Sequence, residues 1–352
     1  MKTRHEAWLG LTKEEPFEPD LPICDCHHHL WKYPESLPED RIPYYPRRFR
    51  HYILEDFLQD TAGGHNITHT ICVESGAMYR NNGPCELRPV GETEFVENIA
   101  TQSASGQYGN TFVASGIVGF ADLTLGAAVS SVLEAHLTVS RDHFRGIRFD
   151  STWDISQDVP FTSKVPDTFS SKKFREGFAQ LHKYNLCFDA WLYFHQMPGL
   201  VELARSFPDT NIILDHIGAP LGIGPYVGKR DAVFQDWKQN IALVATCPNI
   251  VVKLGGMGMP ERFGFDWHEM PEPPDSKTLA EDMAPYYLWC IEKFGTKRCM
   301  FESNFPVDKL SYSYTVLWNA FKRITKDFTP HERAELFRGT AVMVYRLKNN
   351  RF

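Results

Sequence analysis

The sequence lacks the cysteine patterns that would assign it to a redox or zinc-ribbon class. It has eight cysteines, but no two of them form a CxxC pair. Cys24, Cys72 and Cys187 lie in apolar, strand-like runs, where cysteine behaves as a small buried hydrophobic residue. We therefore expect reduced thiols in a cytoplasmic protein.

The sequence also lacks a long apolar run and a basic segment. The N-terminal stretch MKTRHEAWLGLTKEEPFEPD is polar and acidic, so neither a signal peptide nor a membrane span is predicted there. The formal net charge is −7, and Lys and Arg are not concentrated as a nucleic-acid partner requires. We expect a small-molecule substrate and no nucleic-acid or membrane partner. The sequence leaves a monomer and a homodimer open.

Short β-branched or aromatic runs alternate with longer helical stretches, which is typical of parallel βαβ units. The strand candidates are 23–29, 67–74, 112–119, 144–149, 187–194, 212–216, 250–254 and 298–303. The helix candidates that follow them are 54–62, 93–102, 125–137, 171–184, 200–207, 231–245, 279–294 and 311–324. Strands and helices in this order predict the α/β class and a single closed (β/α)8 TIM barrel.

The domain organisation follows from what separates these segments. No Pro/Ser-rich linker divides the chain, so one domain over 1–352 is predicted, with an N-terminal extension at 1–20. A C-terminal segment, 331–352, contains a last helix at 332–345 that should pack across the outside of the barrel. The links after the first and seventh strands are long. Because strand-to-helix links emerge at the C-terminal face of a barrel, that face should carry the chemistry.

The first strand ends in three consecutive histidines. Strand side chains alternate, so Asp25, His27 and His29 are predicted to share one face, and His28 to lie on the other. Two imidazoles at one strand end can bind a metal ion or bracket a substrate oxygen. The alternative is a polar, hydrogen-bonded barrel mouth without chemistry.

Further histidines lie on two other strands. His216 ends the apolar sixth strand at the same end of the barrel, where a lone histidine can also be a satisfied core residue. The fifth strand is predicted to place Asp189, Trp191, Tyr193 and His195 on one face. His195 falls in the loop, where it is either a ligand or a bystander.

Charged residues at other strand ends complete the candidate set. Arg148 suits bidentate capture of a carboxylate or sulfonate, or it pairs with Asp150. Lys253 should face into the barrel and need a carboxylate or substrate partner. Glu74 ends the second strand and is thus another charged residue at the same end of the barrel.

These strand ends together resemble the amidohydrolase-2 family, and within it the branch of lactonases that act on pyrone dicarboxylates, sugar lactones and sulfomuconolactone. The motifs that carry the resemblance are DCHHHLW (25–31), GIRFD (146–150), FDAWLYFHQ (188–196), ARSFPDTNIILDHIGAPLG (204–222), PNIVVKLGG (248–256) and FESNFPVD (301–308). The resemblance implies a distorted (β/α)8 barrel that opens lactones with water, with or without a divalent metal. More distant relatives are zinc-dependent decarboxylases.

The resemblance also implies roles for individual residues. His27 and His29 are similar to the pair that binds metal or polarises the lactone carbonyl, and His216 to the sixth-strand histidine of such sites. Arg148 resembles an anion contact. We expect either one divalent ion, Zn²⁺, held by His27, His29 and His195, or no metal.

The eighth strand departs from the family pattern, which has a glycine-serine-aspartate-tryptophan-proline run. Here Glu302 replaces the glycine and Asn304 replaces the aspartate, on the same face. Because an amide cannot act as a general base, only Glu302 can supply a carboxylate from this strand. The hypothesis is that Glu302 acts from one layer deeper while Asn304 orients water or substrate.

The sequence therefore predicts a hydrolase that opens a cyclic ester bearing carboxylate or hydroxyl groups, with Glu302 or His216 accepting the proton from water. The residues predicted to contact substrate are Trp31, Glu74, Arg148, Tyr193, His195 and Lys253. One alternative is a metal-dependent non-oxidative decarboxylase of an aromatic or unsaturated acid. The other is a barrel that binds a ligand without turning it over.

Overall fold

The computed structural model describes residues 4–38, 42 and 48–348. Eight parallel strands form one sheet in which each strand pairs with the next along the chain. They are β1 (Ile23–His28), β2 (Ile67–Val73), β3 (Phe112–Gly119), β4 (Phe144–Asp150), β5 (Cys187–Trp191), β6 (Ile212–Leu214), β7 (Ile250–Leu254) and β8 (Cys299–Phe301). The two edges are joined where His29 N donates to Phe305 O at 2.7 Å and Asn304 N donates to His27 O at 2.8 Å. The predicted barrel is confirmed.

A helix follows each strand and covers the outside of the barrel. These helices are α1 (Leu54–Thr61), α2 (Val90–Ala104), α3 (Ser130–Val139), α4 (Lys172–Lys183), α5 (Met197–Ser206), α6 (Arg230–Ala245), α7 (Ser276–Phe294) and α8 (Tyr314–Ile324). Polar side chains fix several of their starts; Ser171, Asp275 and Ser313 each accept a hydrogen bond from a backbone N–H in the first turn. The apolar faces of the helices and the outer faces of the strands form the main hydrophobic core.

The helical C-terminal segment closes the lower end of the barrel. It runs through Pro330–Ala334, a π-helical turn at Glu335–Gly339, and Thr340–Val344. Val344, Tyr345 and Leu347 pack in a second apolar cluster with residues near the starts of the strands, such as Cys187 and Ile213. The prediction that this helix crosses the outside of the barrel is therefore corrected. The segment covers the end opposite the mouth, because its apolar side chains face the barrel interior.

The strands are shorter at the mouth than the sequence predicted. β6 ends at Leu214 and β8 at Phe301, so His216, Glu302 and Asn304 all lie in the segments that follow these strands. Long links follow β1, β4 and β7, and the link after β1 contains a short antiparallel pair, Trp31–Lys32 with His51–Tyr52. None of the helices in the described ranges has the length and apolarity to cross a membrane.

Candidate active site

The end of β1 does not alternate as the sequence predicted. The pairing of β1 with β2 shifts register between Asp25 and His28. Asp25 accepts hydrogen bonds from Ser303 N at 2.8 Å and from the Tyr314 hydroxyl at 3.0 Å, on the helix side of the sheet. The predicted shared face of Asp25 and His27 is therefore wrong, because the irregular pairing turns the carboxylate outward.

His28 also faces outward, as predicted. Its Nε2 lies 2.7 Å from Thr70 Oγ1, and its ring stacks on Phe57 of α1 with 4.2 Å between centroids. Burial lowers the pKa of His28 to about 3. His28 is thus a neutral, structural residue beside two inward-facing histidines.

His27 and His29 meet at the top of the barrel, with 3.2 Å between their Nε2 atoms. His29 Nδ1 lies 2.8 Å from the carbonyl oxygen of Val73, which can only accept, so Nε2 of a neutral His29 carries a lone pair. Burial lowers the pKa values of both rings well below the ordinary value, with Lys253 adding to the effect on His27 and Arg148 to that on His29. Both imidazoles are therefore neutral ligands or hydrogen-bonding groups.

His216 lies in a strained turn directly after β6. His216 and Ile217 have φ of 51° and 52°, a left-handed conformation that β-branched residues rarely adopt. Trp237 Nε1 donates to Ile217 O at 2.7 Å, and a Cβ on Gly256 would lie 2.4 Å from His216 Nδ1. Neighbouring segments thus hold this turn and leave room for the imidazole, and such maintained strain is common at functional sites.

Glu302 lies beneath His216 and His27 and is fully buried. Its Oε1 is 2.6 Å from His216 Nδ1, and its Oε2 is 3.0 Å from His27 Nδ1 but without hydrogen-bond geometry. Because a carboxylate accepts, the proton of a neutral His216 lies on Nδ1, and Nε2 keeps its lone pair. His216 lines the pocket, so Glu302 and His216 form a carboxylate–imidazole pair at its floor.

Lys253 lies under the histidines and contacts no pocket surface. Its Nζ is 2.6 Å from Asp189 Oδ2, 3.0 Å from Asp215 Oδ1 and 3.1 Å from His27 Nδ1. Burial raises the pKa of Asp189 to about 6 although Lys253 opposes the shift. Tyr345 of the C-terminal segment donates to Asp189 Oδ2 at 2.7 Å. Lys253 therefore has the predicted carboxylate partners, and it lies too deep for the predicted contact with substrate.

Arg148 lines the pocket and is paired with Glu74. Arg148 Nε donates to Glu74 Oε1 at 2.7 Å, and a terminal nitrogen donates to the Glu74 carbonyl oxygen at 2.6 Å. The alternative pairing with Asp150 is not formed; Asp150 instead accepts from Thr152. Glu74 thus orients Arg148, which presents its remaining donors to the pocket.

The mouth contains a cavity of about 160 Å³. Its walls are His29, Trp31, Ser75, Arg148, Asp150, Trp191, His216, Met259, Arg262, Asn304 and Val307. Trp191 lies edge-on to His216, with 4.7 Å between ring centroids. Arg262 and Met259 come from the long link after β7, so this link reaches the cavity as expected. No sequence signal predicts a role for Arg262, because loop side chains follow no periodicity.

The structure does not bring Tyr193 and His195 to the cavity wall. The Tyr193 hydroxyl donates to the Pro160 carbonyl oxygen, and His195 Nε2 lies 3.1 Å from Asp154 Oδ2. Asp154 also accepts from the Tyr226 hydroxyl at 2.8 Å. His195 therefore ties together links that follow β4, β5 and β6, and it is paired with a carboxylate rather than with His27 and His29.

Asn304 is on the cavity wall and has left-handed backbone conformation with φ of 55°. Its Oδ1 lies 3.2 Å from His29 Nε2, and its Nδ2 donates to Asp308 Oδ1 at 2.7 Å. Burial raises the pKa of Asp308 to about 7. Neither Asp308 nor Asp215 is among the site residues predicted from the sequence, although Asp215 adjoins His216 in the chain, which was the available signal.

The donors at the barrel mouth fit a divalent cation. His27, Asp215 and His216 offer ligand atoms that lie within 4.8 Å of one another. Asp215 Oδ2 lacks a hydrogen bond from the described residues, Asp215 Oδ1 has only its ion pair with Lys253, and the floor has three carboxyl groups, Asp189, Asp215 and Glu302, against one lysine. Two ligands of a tetrahedral zinc ion lie about 3.3 Å apart, which is close to the 3.2 Å between His27 and His29 Nε2. Uncompensated buried carboxylates and converging imidazoles are the donors that such an ion needs.

A (β/α)8 barrel with two histidines at the end of its first strand, a third after its sixth and buried carboxylates below them defines a hydrolase-type barrel. The chain belongs to the Amidohydro_2 amidohydrolase family, whose model matches residues 24–347. The family resemblance inferred from the motifs is therefore confirmed.

The relatives found span most of the chain. The uncharacterized protein y4mH of Sinorhizobium fredii is 32% identical over 93% of this chain and 99% of its own length. An L-fucono-1,5-lactonase of Burkholderia ambifaria is 25% identical over 77% of this chain and 87% of its own. A solved amidohydrolase of Burkholderia multivorans with bound zinc superposes with a TM-score of 0.70 at 22% identity, covering 93% of this chain and 99% of that one.

Proposed function

We propose that the protein hydrolyses a lactone at the mouth of the barrel. The observation that carries this proposal is the Glu302–His216 pair, whose free imidazole nitrogen belongs to a cavity wall that also presents Arg148 and Asn304. An oriented neutral imidazole is the usual group that takes a proton from water in ester hydrolysis. The similarity to an L-fucono-1,5-lactonase supports a cyclic ester as the substrate class.

The proposed mechanism assigns one task to each side chain. Glu302 accepts a hydrogen bond from His216 Nδ1 and stabilises the imidazolium that forms when Nε2 takes a proton from water. This changes the hypothesis from the sequence, because Glu302 is fully buried and would act through His216. Asn304 Oδ1 accepts a hydrogen bond from the attacking water, and Arg148 holds a carboxylate or hydroxyl of the substrate.

The metal is a separate part of the proposal. His27 and His29, together with Asp215, would hold one divalent ion and leave His216 Nε2 to act on water, and zinc suits such a nitrogen-rich set. Bound there, it would polarise the lactone carbonyl or lower the pKa of water. His195, paired with Asp154, is not part of this proposed set.

The test is a panel of five- and six-membered lactones, neutral and carboxylate-bearing, assayed by acid release with protein as purified, after chelation and after zinc addition. We expect hydrolysis of at least one lactone, and a fall in kcat of about 100-fold or more in Glu302→Gln, since positioned general bases contribute about 10²–10⁴-fold. The exposed Glu292→Gln serves as the matched control. A panel with no turnover in any metal state, or a fully active Glu302→Gln, would contradict the proposal.

The two alternatives give different outcomes in the same assay. A decarboxylase would release CO2 from aromatic or unsaturated acids and leave every lactone intact. A binding barrel would bind a lactone in calorimetry without opening it. The Glu302–His216 pair favours hydrolysis over binding alone, because a passive pocket does not need an imidazole held by a buried carboxylate.

A further inference from the structure

Asp308 is a buried carboxylate that lies behind the cavity wall and does not line the cavity. Its Oδ1 accepts from Asn304 Nδ2 at 2.7 Å. Its Oδ2 accepts from the Tyr312 hydroxyl at 2.6 Å and from Gly258 N at 2.9 Å. Asn304 and Tyr312 lie in the segment between β8 and α8, and Gly258 lies in the link after β7. Asp308 is therefore the point at which these segments meet.

The hydrogen bond to Asp308 decides which end of the Asn304 amide faces His29. Since Asp308 takes the amide nitrogen, Asn304 Oδ1 points the other way and lies 3.2 Å from His29 Nε2. His29 Nδ1 donates to Val73, so two lone pairs face each other there. An amide turned by 180° would instead donate to His29 Nε2 and occupy its lone pair. The observed orientation is the less favourable one for the Asn304–His29 contact, and Asp308 compensates for it.

Asp308 also holds the wall of the cavity at Gly258. A Cβ on Gly258 would lie 2.7 Å from the Tyr312 hydroxyl oxygen and 2.9 Å from Asp308 Cβ, so a side chain is excluded. Ser311 Oγ donates to Gly258 O at 2.7 Å, which fixes the same residue on its carbonyl side. The next residue, Met259, lines the cavity.

We propose that Asp308 is a positioning residue of the active site, which acts through Asn304. Its carboxylate keeps the amide oxygen of Asn304 directed into the site, so that the amide does not compete with His27 or a cation for the lone pair of His29 Nε2, and Asn304 Oδ1 stays available to accept a hydrogen bond. The expected effect on catalysis rests on the proposed lactone hydrolysis, whereas the orientation of the Asn304 amide is independent of that proposal.

The experiment compares Asp308→Asn, Asn304→Asp and the exchanged pair N304D/D308N. In Asp308→Asn the amide is free to turn, and we expect kcat to fall about 10- to 100-fold, the usual cost of losing an outer-shell partner, with KM changed less than about threefold. Asn304→Asp sets two carboxylates face to face and should also be impaired. The exchanged pair restores one carboxylate and one amide across the same contact, and should recover most of the lost kcat.

A second readout is independent of turnover. With ¹⁵N-labelled histidine, the Nε2 resonance of His29 should move toward that of a hydrogen-bonded nitrogen in Asp308→Asn and return when the exchanged pair is present. Circular dichroism and the melting temperature check that each variant is folded. An unchanged His29 resonance with wild-type kcat in Asp308→Asn would overturn the proposal, as would an exchanged pair no better than the single variants. If no lactone is hydrolysed, the resonance still decides the orientation.

Discussion

At the scale of single residues, two neighbouring histidines should respond oppositely to the same substitution. His29 lines the cavity, whereas His28 packs against Phe57 and bonds to Thr70 on the outside of the barrel. We expect His29→Gln to lose lactone hydrolysis by about 100-fold or more with a nearly unchanged melting temperature. His28→Gln should keep kcat/KM within about threefold and lose about 1–3 kcal/mol of unfolding free energy, because a buried ring and its hydrogen bond are lost.

Kinetics and urea denaturation of the two variants measure this contrast. Equal kinetic effects would mean that the outward face of β1 also takes part in the chemistry.

The sequence predicted the placement of side chains well where a strand keeps its two-residue alternation, and poorly where the strand ends. His27, His29 and His216 meet as expected, since all three lie at strand ends that open at one face of the barrel. Asp25 was misplaced because a register shift interrupts the alternation. Lys253 was assigned to substrate because its partners come from other strands, and no single-strand pattern reports such distances.

At the scale of secondary structure elements, α2 should make the stability of the protein depend on pH through Glu92. Glu92 Oε1 accepts from Ser75 N and Oγ at 2.8 Å, which holds the link after β2 beside the cavity. Burial, then repulsion from Glu74, raises the pKa of Glu92 to about 8 from an ordinary value near 4.5. The folded protein therefore retains a proton that the unfolded chain releases. Stability from this group is complete below about pH 4.5 and is lost as the pH rises toward 8.

Glu92→Gln removes this dependence because its side chain stays neutral. We expect the stability of the variant relative to wild type to increase with pH between about 5 and 8, by up to about 1.4 kcal/mol per pH unit. Urea denaturation at three pH values in this range measures the difference. Glu94→Gln on the same helix, half-exposed and paired with Arg80, is the control and should run parallel to wild type. If the stability of Glu92→Gln instead ran parallel to that of wild type over this pH range, Glu92 would not retain its proton in the folded protein.

The elements themselves were largely predictable, because hydrophobic period and capping residues are local signals. All eight strands and their helices were found, with shifts of a few residues at the ends. The C-terminal helix was found too, but its position was not. Its apolar residues fit either the outer surface or the open lower end of the barrel, and only packing around Tyr345 and Leu347 distinguishes the two.

At the scale of the whole molecule, the barrel separates a stabilising end from a reactive end. The C-terminal segment closes the lower end with apolar contacts, and through Tyr345 it reaches Asp189 and the buried charges below the histidines. At the upper end the links leave a cavity above those charges. The strands enclose three carboxyl groups but one lysine. A cation bound at the mouth should therefore stabilise the whole fold, because it compensates buried negative charge.

Zinc should therefore raise the melting temperature of the intact protein. An ion at about 100 times its Kd stabilises the folded state by about 2.7 kcal/mol, which corresponds to a shift of several degrees. His27→Gln should abolish this shift, because His27 contacts His29 and is grouped with Asp215 in the proposed ligand set. His195→Gln should retain it, because His195 is paired with Asp154. Differential scanning calorimetry of chelated protein, with and without zinc, measures the shift for wild type, His27→Gln and His195→Gln. A shift lost in His195→Gln would restore the ligand set expected from the sequence, whereas no shift in wild type would leave hydrolysis to His216 and Glu302 without a metal.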